Sequence, residues 1–359
     1  MINDLLMTPL FPWQDGSGPG GDIVLSSRVQ LGRNIAGRLF PERASQEELE
    51  AVFQIAADVL PSLDGQQPGT YELVPLEELS PVQREALVER HITTARHIAR
   101  PHARGLLLRR DGGLVICING ENHFSIQAVA EGLQVAQAWE EASQVDDAME
   151  STINFAFRDD FGYLTANPAA TGTALQAMVT LHLPALAAMK HLSRIVRSIT
   201  KVGFSVRGLY NGLDTGGSNI FQITNVTTLG RDEQEIVSQL EKIAAQVAAE
   251  ERACREALAV QEPHVLQDRL CRSFGILSQA RLMSDTECVG LLSDLRLAID
   301  LGFIRLDRSI FEVLLCLSGA AAIQLQAGQE GLTEDDLSVL RAQILRRTLA
   351  AQLQGVNYA

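Results

Sequence analysis

The sequence predicts an α+β fold in which an antiparallel sheet flanked by helices is followed by a helical C-terminal module. Three observations lead to this prediction. The segment LLLRRDGGLVICING, residues 106–120, reads as two strands joined by an Asp-Gly turn. From Glu233, EQEIVSQLEKIAAQVAAEERACREALAV has the apolar spacing of a long amphipathic helix. Every later segment has a helical pattern, so we predict one domain over residues 1–260 and a helical module over 261–359.

Local signals place the other elements along the chain. Residues 45–48, SQEE, have the spacing of a capping box and predict that a helix begins there. FGYLTANP, FSVRGLY and NIFQITN are short strand-like runs that end in turn residues, and we expect helical stretches such as 173–189 between them. Two further capping boxes, at 284–287 and 333–336, predict helix starts within the C-terminal module.

Composition and charge exclude several function classes. The 30 Lys and Arg residues against 44 Asp and Glu residues give a net charge of −14, which argues against nucleic acid as a partner. The N-terminal segment has no secretory signal pattern, and the most apolar later stretch is broken by His182 and Pro184, so we expect no membrane segment. Five widely spaced cysteines without a zinc pattern indicate free thiols, no metal site and a cytoplasmic protein.

Common nucleotide and metal motifs are absent from the sequence, which has no GxxxxGK[ST], GxGxxG or HExxH. Several short stretches nevertheless follow one another in a recognisable order: SSRVQLGRN, ERH, INGENHFSIQ, GYLTANPAATGTALQAM, LHLPAL, VRGLY, RSFGILSQARLMSD and LLSDLRLAIDLGFI. Together they resemble the phosphagen, or ATP:guanidino, kinase superfamily, and most closely its bacterial protein arginine kinase branch. The resemblance covers nearly the whole chain.

This resemblance implies a guanidino-kinase fold and a definite chemistry. Arginines from several elements would surround the phosphates of ATP, with Mg²⁺ bridging them, while carboxylates would orient and deprotonate the attacking guanidinium. Such an arrangement suits phosphoryl transfer, in which catalysis depends mainly on positioning and charge stabilisation. Arginine is suited to the task because its planar fork binds phosphate oxygens in a bidentate manner.

Part of the implied machinery matches this sequence. The resemblance implies nucleotide contacts at Ser26, Ser27, Arg28, His91, Arg207 and Gly208. Arg28 and Arg207 could instead form structural ion pairs. Glu121 would be the catalytic base, and the alternative is a solvated loop carboxylate. His123 and His182 are interpreted as a hydrogen-bonded loop residue and a core residue, without catalytic roles.

Neutral residues occupy most of the other positions that the resemblance assigns to charged or reactive groups. These positions are Gln30, Gly120, Asn122, Ser125, Asn167, Gln176 and Gly212. Gln30, Ser125 and Gln176 replace phosphate-binding arginines, and Gly120 and Gly212 replace carboxylates. Asn122 and Asn167 replace an aspartate and a reactive cysteine. In the C-terminal module, Leu337 and Ser338 replace an Arg-Asp pair that would bind phosphoarginine.

The number of lost charges predicts a loss of turnover. Each charge-assisted hydrogen bond to phosphate is worth roughly 1.5–3 kcal/mol, and one transition-state arginine can contribute about 10³–10⁵ in rate. We therefore expect a catalytically depleted pseudokinase that acts as a binding or regulatory protein in protein quality control. The partners implied by the resemblance are a second copy of the chain, a Clp-type protease, a heat-shock repressor and a zinc-finger activator protein.

Two alternatives remain open at this stage. One is a weakly active ATP:protein-arginine phosphotransferase, with Glu121 as base and with Arg28, Arg207 and Mg²⁺ on the phosphates. The other is a binding module for free arginine, a nucleotide or phosphoarginine. ATP and Mg²⁺ are expected cofactors only if nucleotide binding is retained.

Overall fold

A computed structural model describes residues 2–64, 70–210 and 217–353. The strands in these ranges are β1 (Val24–Arg33), β2 (Tyr71–Pro75), β3 (Gly105–Arg109), β4 (Leu114–Ile118), β5 (Phe124–Glu131), β6 (Phe157–Arg158), β7 (Gly162–Tyr163), β8 (Leu175–His182), β9 (Phe204–Gly208) and β10 (Ile220–Asn225). The helices are α1 (Ile2–Met7), α2 (Gln46–Asp64), α3 (Pro81–Glu89), α4 (Ala95–Ile98), α5 (Val135–Glu150), α6 (Pro184–Ala188), α7 (Leu192–Lys201), α8 (Glu233–Gln261), α9 (Pro263–Gln279), α10 (Asp285–Asp300), α11 (Ser309–Leu317), α12 (Ala320–Ala327) and α13 (Glu334–Leu353). Short 3-10 turns lie at Pro12–Gln14, Leu76–Glu78 and Pro168–Ala170.

Eight strands form one antiparallel sheet in the order β2-β3-β4-β5-β1-β8-β10-β9, as the predicted α+β class requires. The predicted Asp-Gly turn joins β3 to β4. Gly112 has a φ of 68°, and the Asp111 carboxylate accepts the Gly113 N–H at 2.9 Å. Positive φ at this turn is the conformation that glycine adopts without strain. Residues 119–123 then turn the chain from β4 into β5.

The predicted helix over residues 173–189 is wrong. Leu175–His182 is strand β8, which lies between β1 and β10 in the sheet, and only Pro184–Ala188 is helical. Most of β8 is buried, including neighbouring residues such as Ala177, Met178 and Val179 that point to opposite faces. A strand buried on both faces lacks clear two-residue alternation, so its apolar run resembles a buried helix.

Helix starts follow the predicted capping boxes. The hydroxyls of Ser45, Ser284 and Thr333 accept the N–H groups three residues later, at 3.3, 3.3 and 3.2 Å. Helices α2, α10 and α13 each begin at the residue after the cap. These bonds satisfy amides that lack partners within the first helical turn. All three predicted starts are confirmed.

One face of the sheet is covered by helices α5 and α8, and the main hydrophobic core lies between them and the strands. Val29 and Leu31 of β1 and Val179 of β8 point into this core. α8 extends over Glu233–Gln261, which confirms the predicted long amphipathic helix, and Leu240 on its buried face contributes to the same core. Alternate strand residues point to the opposite face.

The opposite face of the sheet meets two different layers. The β3–β4 half packs on α1 and α3 through Leu106, Leu108 and Val115. The β8–β10–β9 half faces the C-terminal module, and Ile220 of β10 belongs to the module's own hydrophobic core. At the end of α3, the Glu89 carboxylate accepts two N–H groups from the first turn of α12, at 2.8 and 3.1 Å. This cap connects the two layers around an open cleft.

A buried ionic network joins the C-terminal module to the sheet domain. Asp300 of α10 is 2% exposed and accepts from Arg255 of α8 at 3.0 Å, from Arg308 at 2.8 Å and from Arg296 at 3.4 Å. Arg255 also pairs with Glu251, whose carboxylate accepts two N–H groups of α6 at 3.0 and 2.9 Å. Burial of these charges is tolerated because almost every group has a hydrogen-bonded partner.

Across the described ranges, no single helix is long and apolar enough to cross a membrane. Helices α11 and α12 reach the required length and composition only as a pair, and they are bent by 77° relative to each other.

The ionic network predicts a large effect of one isosteric change. We expect Asp300→Asn to lower the free energy of unfolding by about 3–5 kcal/mol, because three guanidinium groups would lose their shared carboxylate. Urea denaturation measures this change. Asp268→Asn is the matched control: it removes an exposed pair with Arg272 at 2.7 Å and should cost at most about 1 kcal/mol. Equal losses in the two variants would contradict the structural role of Asp300.

Candidate functional site

The cleft between the sheet and the C-terminal module has a volume of about 870 Å³. Its floor is the face of β1, β5, β8, β9 and β10 that points away from α5 and α8. Its walls come from the end of α3 and the residues after it, and from α11 of the C-terminal module. The volume falls in the range of small-molecule and cofactor sites.

Two rows of polar side chains cross the cleft floor. The two-residue period of β1 places Ser26, Arg28 and Gln30 on the same face. Strand register then sets Gln30 directly opposite Gln127 on one side and Gln176 on the other. The second row, read from strand to strand, is Ser26, Thr180, Gln222 and Arg207. The floor therefore has abundant hydrogen-bonding groups but few charges.

Arg28 and Arg207 are the two cations of the floor. In the part of the chain that the structure describes, neither guanidinium has a carboxylate within 4 Å. Arg28 donates to the backbone carbonyl of His91, and Arg207 donates to the Gln222 amide oxygen at 2.9 and 2.5 Å. Burial lowers the pKa of Arg28 to about 10, and the charge of Arg207 contributes to this shift. Two neighbouring cations without counter-ions form a site suited to an anion.

His91 connects these arginines to the far wall of the cleft. It adopts a left-handed backbone with a φ of 56°, which turns its carbonyl towards Arg28. Its ring Nε2 lies 3.0 Å from the Tyr210 hydroxyl. Burial, together with the charges of Arg28 and Arg207, lowers the pKa of His91 to about 4. The imidazole is therefore neutral at physiological pH and contributes hydrogen bonds, not charge.

The three positions at which glutamine or serine replaces an expected arginine all line the cleft. Gln30 and Gln176 are neighbours in the first row, and Gln30 Nε2 lies 3.4 Å from the Ser125 hydroxyl. Gly120 and Glu121 line the same cleft at the β4–β5 turn. Glu121 is exposed and has no hydrogen bond or ion pair with any described residue. The turn thus offers one solvated carboxylate.

Several other predicted site residues point elsewhere. The Ser27 hydroxyl donates to the Gly132 carbonyl at 2.7 Å on the opposite face of the sheet. Asn122 is buried, and its amide oxygen accepts from Asn34 at 2.8 Å. Asn167 caps a 3-10 turn through its side-chain oxygen. Gly208 ends β9 opposite Phe221, and neither Gly208 nor Asn167 lines the cleft. Gly212 lies outside the described residues.

His123 and His182, for which the sequence predicts no catalytic role, are both buried and hydrogen-bonded. His123 Nδ1 accepts the Ile35 N–H at 3.0 Å, and Nε2 donates to the Leu39 carbonyl at 3.0 Å, so the neutral tautomer is fixed. His182 is completely buried and contacts Ser293 of α10 at 2.8 Å. Both residues support the fold around the cleft.

Sequence reasoning did not identify the contribution of the C-terminal module. Glu312 and Cys316 of α11 line the same cleft as Arg28, and so does Tyr210 of the sheet domain, two residues after β9. Glu312 lies on α11, almost 300 residues after Arg28 in the sequence, and no local motif marks it. Only the packing of α11 against the sheet domain reveals its place. Within the described ranges, no group of three His, Cys, Asp or Glu residues is arranged to hold a metal ion.

Comparison with known proteins agrees with this architecture. Residues 51–254 match the family model described as ATP:guanido phosphotransferase, C-terminal catalytic domain, and residues 263–357 match the Protein-arginine kinase McsB C-terminal domain. The chain is 38% identical to the protein-arginine kinase of Moorella thermoacetica over 94% of its own length and 97% of that protein. The chain belongs to the protein-arginine kinase family. The protein-arginine kinase of Geobacillus stearothermophilus is 39% identical over 95% of this chain and 94% of that protein.

Solved structures show that the protein-arginine kinase family shares its fold with other guanidino kinases. Lombricine kinase superimposes with a TM-score of 0.57 at 22% identity, covering 68% of this chain and 70% of that one. The duplicated taurocyamine kinase from Schistosoma mansoni gives a TM-score of 0.59 at 23% identity, covering 70% of this chain and 37% of that one. The predicted guanidino-kinase fold is confirmed.

The histidines around the cleft predict a specific pH dependence. Burial lowers the pKa values of His91, His97 and His123 to about 4, so their ring NMR signals should stay constant from about pH 8 to pH 5.5. His102 is the internal control, because the carboxylates of Glu50 and Glu77 raise its pKa.

The same shifts predict the direction of the stability change. The unfolded chain takes up protons near pH 6.5, above the folded pKa values, so stability should fall as the pH drops from about 6.5 towards 4. Urea denaturation across this range measures the loss. Titration of the His91 signal with a midpoint near 6.5 would contradict the neutral ring.

Proposed function

We propose that this member of the protein-arginine kinase family is catalytically depleted and acts by binding, as a regulatory protein of protein quality control. The observation that carries the proposal is the set of neutral side chains at three cleft positions where the resemblance implies arginines. Gln30, Ser125 and Gln176 all face the cleft at the positions where phosphate-binding arginines are expected. Arginines at these positions would stabilise the charge that develops in phosphoryl transfer. Amide and hydroxyl groups cannot do this, because they carry no positive charge.

Residual anion binding is part of this proposal. Arg28 and Arg207 have no carboxylate partner among the described residues, and they share a cleft large enough for a nucleotide. We therefore propose that ATP with Mg²⁺, or a smaller phosphate compound, binds weakly at these two arginines. The same observation supports the second candidate function, a slow ATP:protein-arginine phosphotransferase in which Glu121 is the base.

The proposed partners are those of the family's quality-control setting: a Clp-type protease, a heat-shock repressor and a zinc-finger activator protein, in the cytoplasm. A homodimer is also proposed. Exposed apolar side chains on α9, α13 and the segment between α9 and α10 support it, among them Ile276, Leu282 and Val339, which are 41%, 63% and 46% exposed. Such surfaces are typical of protein contacts. Light scattering gives the mass that decides this point.

Restoring the missing cations tests the depleted cleft directly. We expect Gln30→Arg/Ser125→Arg/Gln176→Arg to bind Mg-ATP at least about tenfold more tightly than the wild type, because each restored contact is charge-assisted. Calorimetry measures the affinity. Gln137→Arg/Gln144→Arg/Gln261→Arg adds the same charge at exposed positions outside the cleft and should leave affinity unchanged. Brisk transfer of radiolabel from ATP to arginine by the wild type would overturn the proposal.

Partner capture separates the two candidate functions. We expect the immobilised wild-type chain to retain the same Clp-type, repressor or activator proteins from a lysate of its host whether or not ATP is present, because binding needs no turnover. Mass spectrometry identifies the retained proteins. Arg28→Gln/Arg207→Gln, which removes both floor cations, should retain the same set. Retention that requires ATP and disappears in this variant would favour the transferase.

A further inference from the structure

The C-terminal module places one carboxylate, Glu312, on the wall of the cleft. Glu312 lies in the first turn of α11, and Leu315 and Cys316, three and four residues later, line the cleft with it. This spacing means that one face of α11 forms the wall. The cleft therefore combines cations from the sheet with a carboxylate from a separate module.

Glu312 has no partner in the part of the chain that the structure describes. It makes no hydrogen bond and no ion pair there, although it is only partly exposed. Glu89, which lines the same cleft and is also partly exposed, has defined contacts, because its carboxylate caps α12. Burial raises the pKa of Glu312 to about 7, and the charge of Arg296 only partly opposes this effect. A cation that entered the cleft would provide the missing counter-ion.

Tyr210 lines the same cleft as this carboxylate. Burial raises the pKa of Tyr210, the charge of Glu312 raises it further, and the charge of Arg28 opposes the rise. Tyr210 therefore lies within electrostatic range of both groups, and its hydroxyl contacts His91. A cleft that holds an aromatic ring and a carboxylate without a described partner suits a flat cation, which can donate in a bidentate manner to a carboxylate and stack on a ring.

We propose that Glu312 binds the guanidinium group of an arginine side chain, with Tyr210 as the stacking surface. The proposal rests on the proposed function, in which the cleft binds its ligand without rapid turnover. At the β4–β5 turn the cleft offers Gly120, which has no side-chain charge, and the exposed Glu121. Glu312 thus supplies a cation-binding group from the C-terminal module instead of from the sheet domain. It is a binding residue, and no proton transfer is assigned to it.

Calorimetry with N-acetyl-arginine methylamide tests this assignment, since the probe has a guanidinium and no other charge. We expect saturable binding to the wild type, and binding weaker by about ten- to a hundredfold in Glu312→Gln, because a charge-assisted bidentate contact is lost. The neutral isostere N-acetyl-citrulline methylamide should bind the wild type as weakly as the arginine probe binds Glu312→Gln. Glu334→Gln, a change at an exposed carboxylate that also lines the cleft, should leave affinity unchanged.

Wild-type affinity in Glu312→Gln, equal binding of the citrulline probe, or loss of binding in Glu334→Gln would each overturn the proposal. Glu312→Gln should not lower the thermal midpoint, since the carboxylate has no partner to lose among the described residues. Titration with tripolyphosphate separates this test from the test of the proposed function. Glu312→Gln should bind tripolyphosphate as the wild type does, whereas Arg28→Gln/Arg207→Gln should lose this binding. Rapid transfer of phosphate to arginine would instead refute only the depleted cleft.

Discussion

The buried carboxylate of Asp300 fixes the C-terminal module against the sheet domain. Its partners come from α8, from α10 itself and from Arg308 at the start of α11, so each of these elements is held by the same charge. A small shift of the module would leave a buried guanidinium or carboxylate without a partner, and such a group costs several kcal/mol. Because α11 follows Arg308 directly, this network also fixes the cleft wall that carries Glu312. The shape of the site depends on it.

The charge of the cleft floor determines which ligands it can hold. Glutamine side chains at positions 30, 127 and 176 offer donors and acceptors in register across three strands, but they supply no positive charge. Triphosphate carries several negative charges, whereas the floor presents Arg28 and Arg207 as its cations. The repulsion between these two arginines contributes to the lowered pKa of Arg28. An anion bound between them relieves that repulsion.

Features set by neighbouring residues were predictable from sequence. The Asp-Gly turn at residues 111–112 and the three capping boxes depend on contacts within a few residues, and all four lie where predicted. The sequence of β8 predicts a helix because layers pack on both faces of the sheet there, which hides the alternation that a strand normally shows. The family resemblance singled out Arg28 and Gln30, and both face the cleft. The resemblance alone could not show that Ser27 points to the opposite face of the sheet. No local sequence pattern could place Glu312 on the cleft, because the sheet is formed by residues far earlier in the chain.

Binding and turnover place different demands on the same cleft. Rapid phosphoryl transfer requires groups whose interactions strengthen as charge develops, and it requires the acceptor nitrogen to lie within about 3–3.5 Å of the phosphorus in line with the leaving group. Contacts between the two charged ends of this cleft run from Arg28 through His91 to Tyr210, whose pKa responds to Glu312. The floor arginines, Tyr210 and Glu312 line one cleft, so an anion held by the arginines and a guanidinium held by Glu312 would share it. Under the proposed function, both groups bind in one cleft without the in-line alignment that phosphoryl transfer requires.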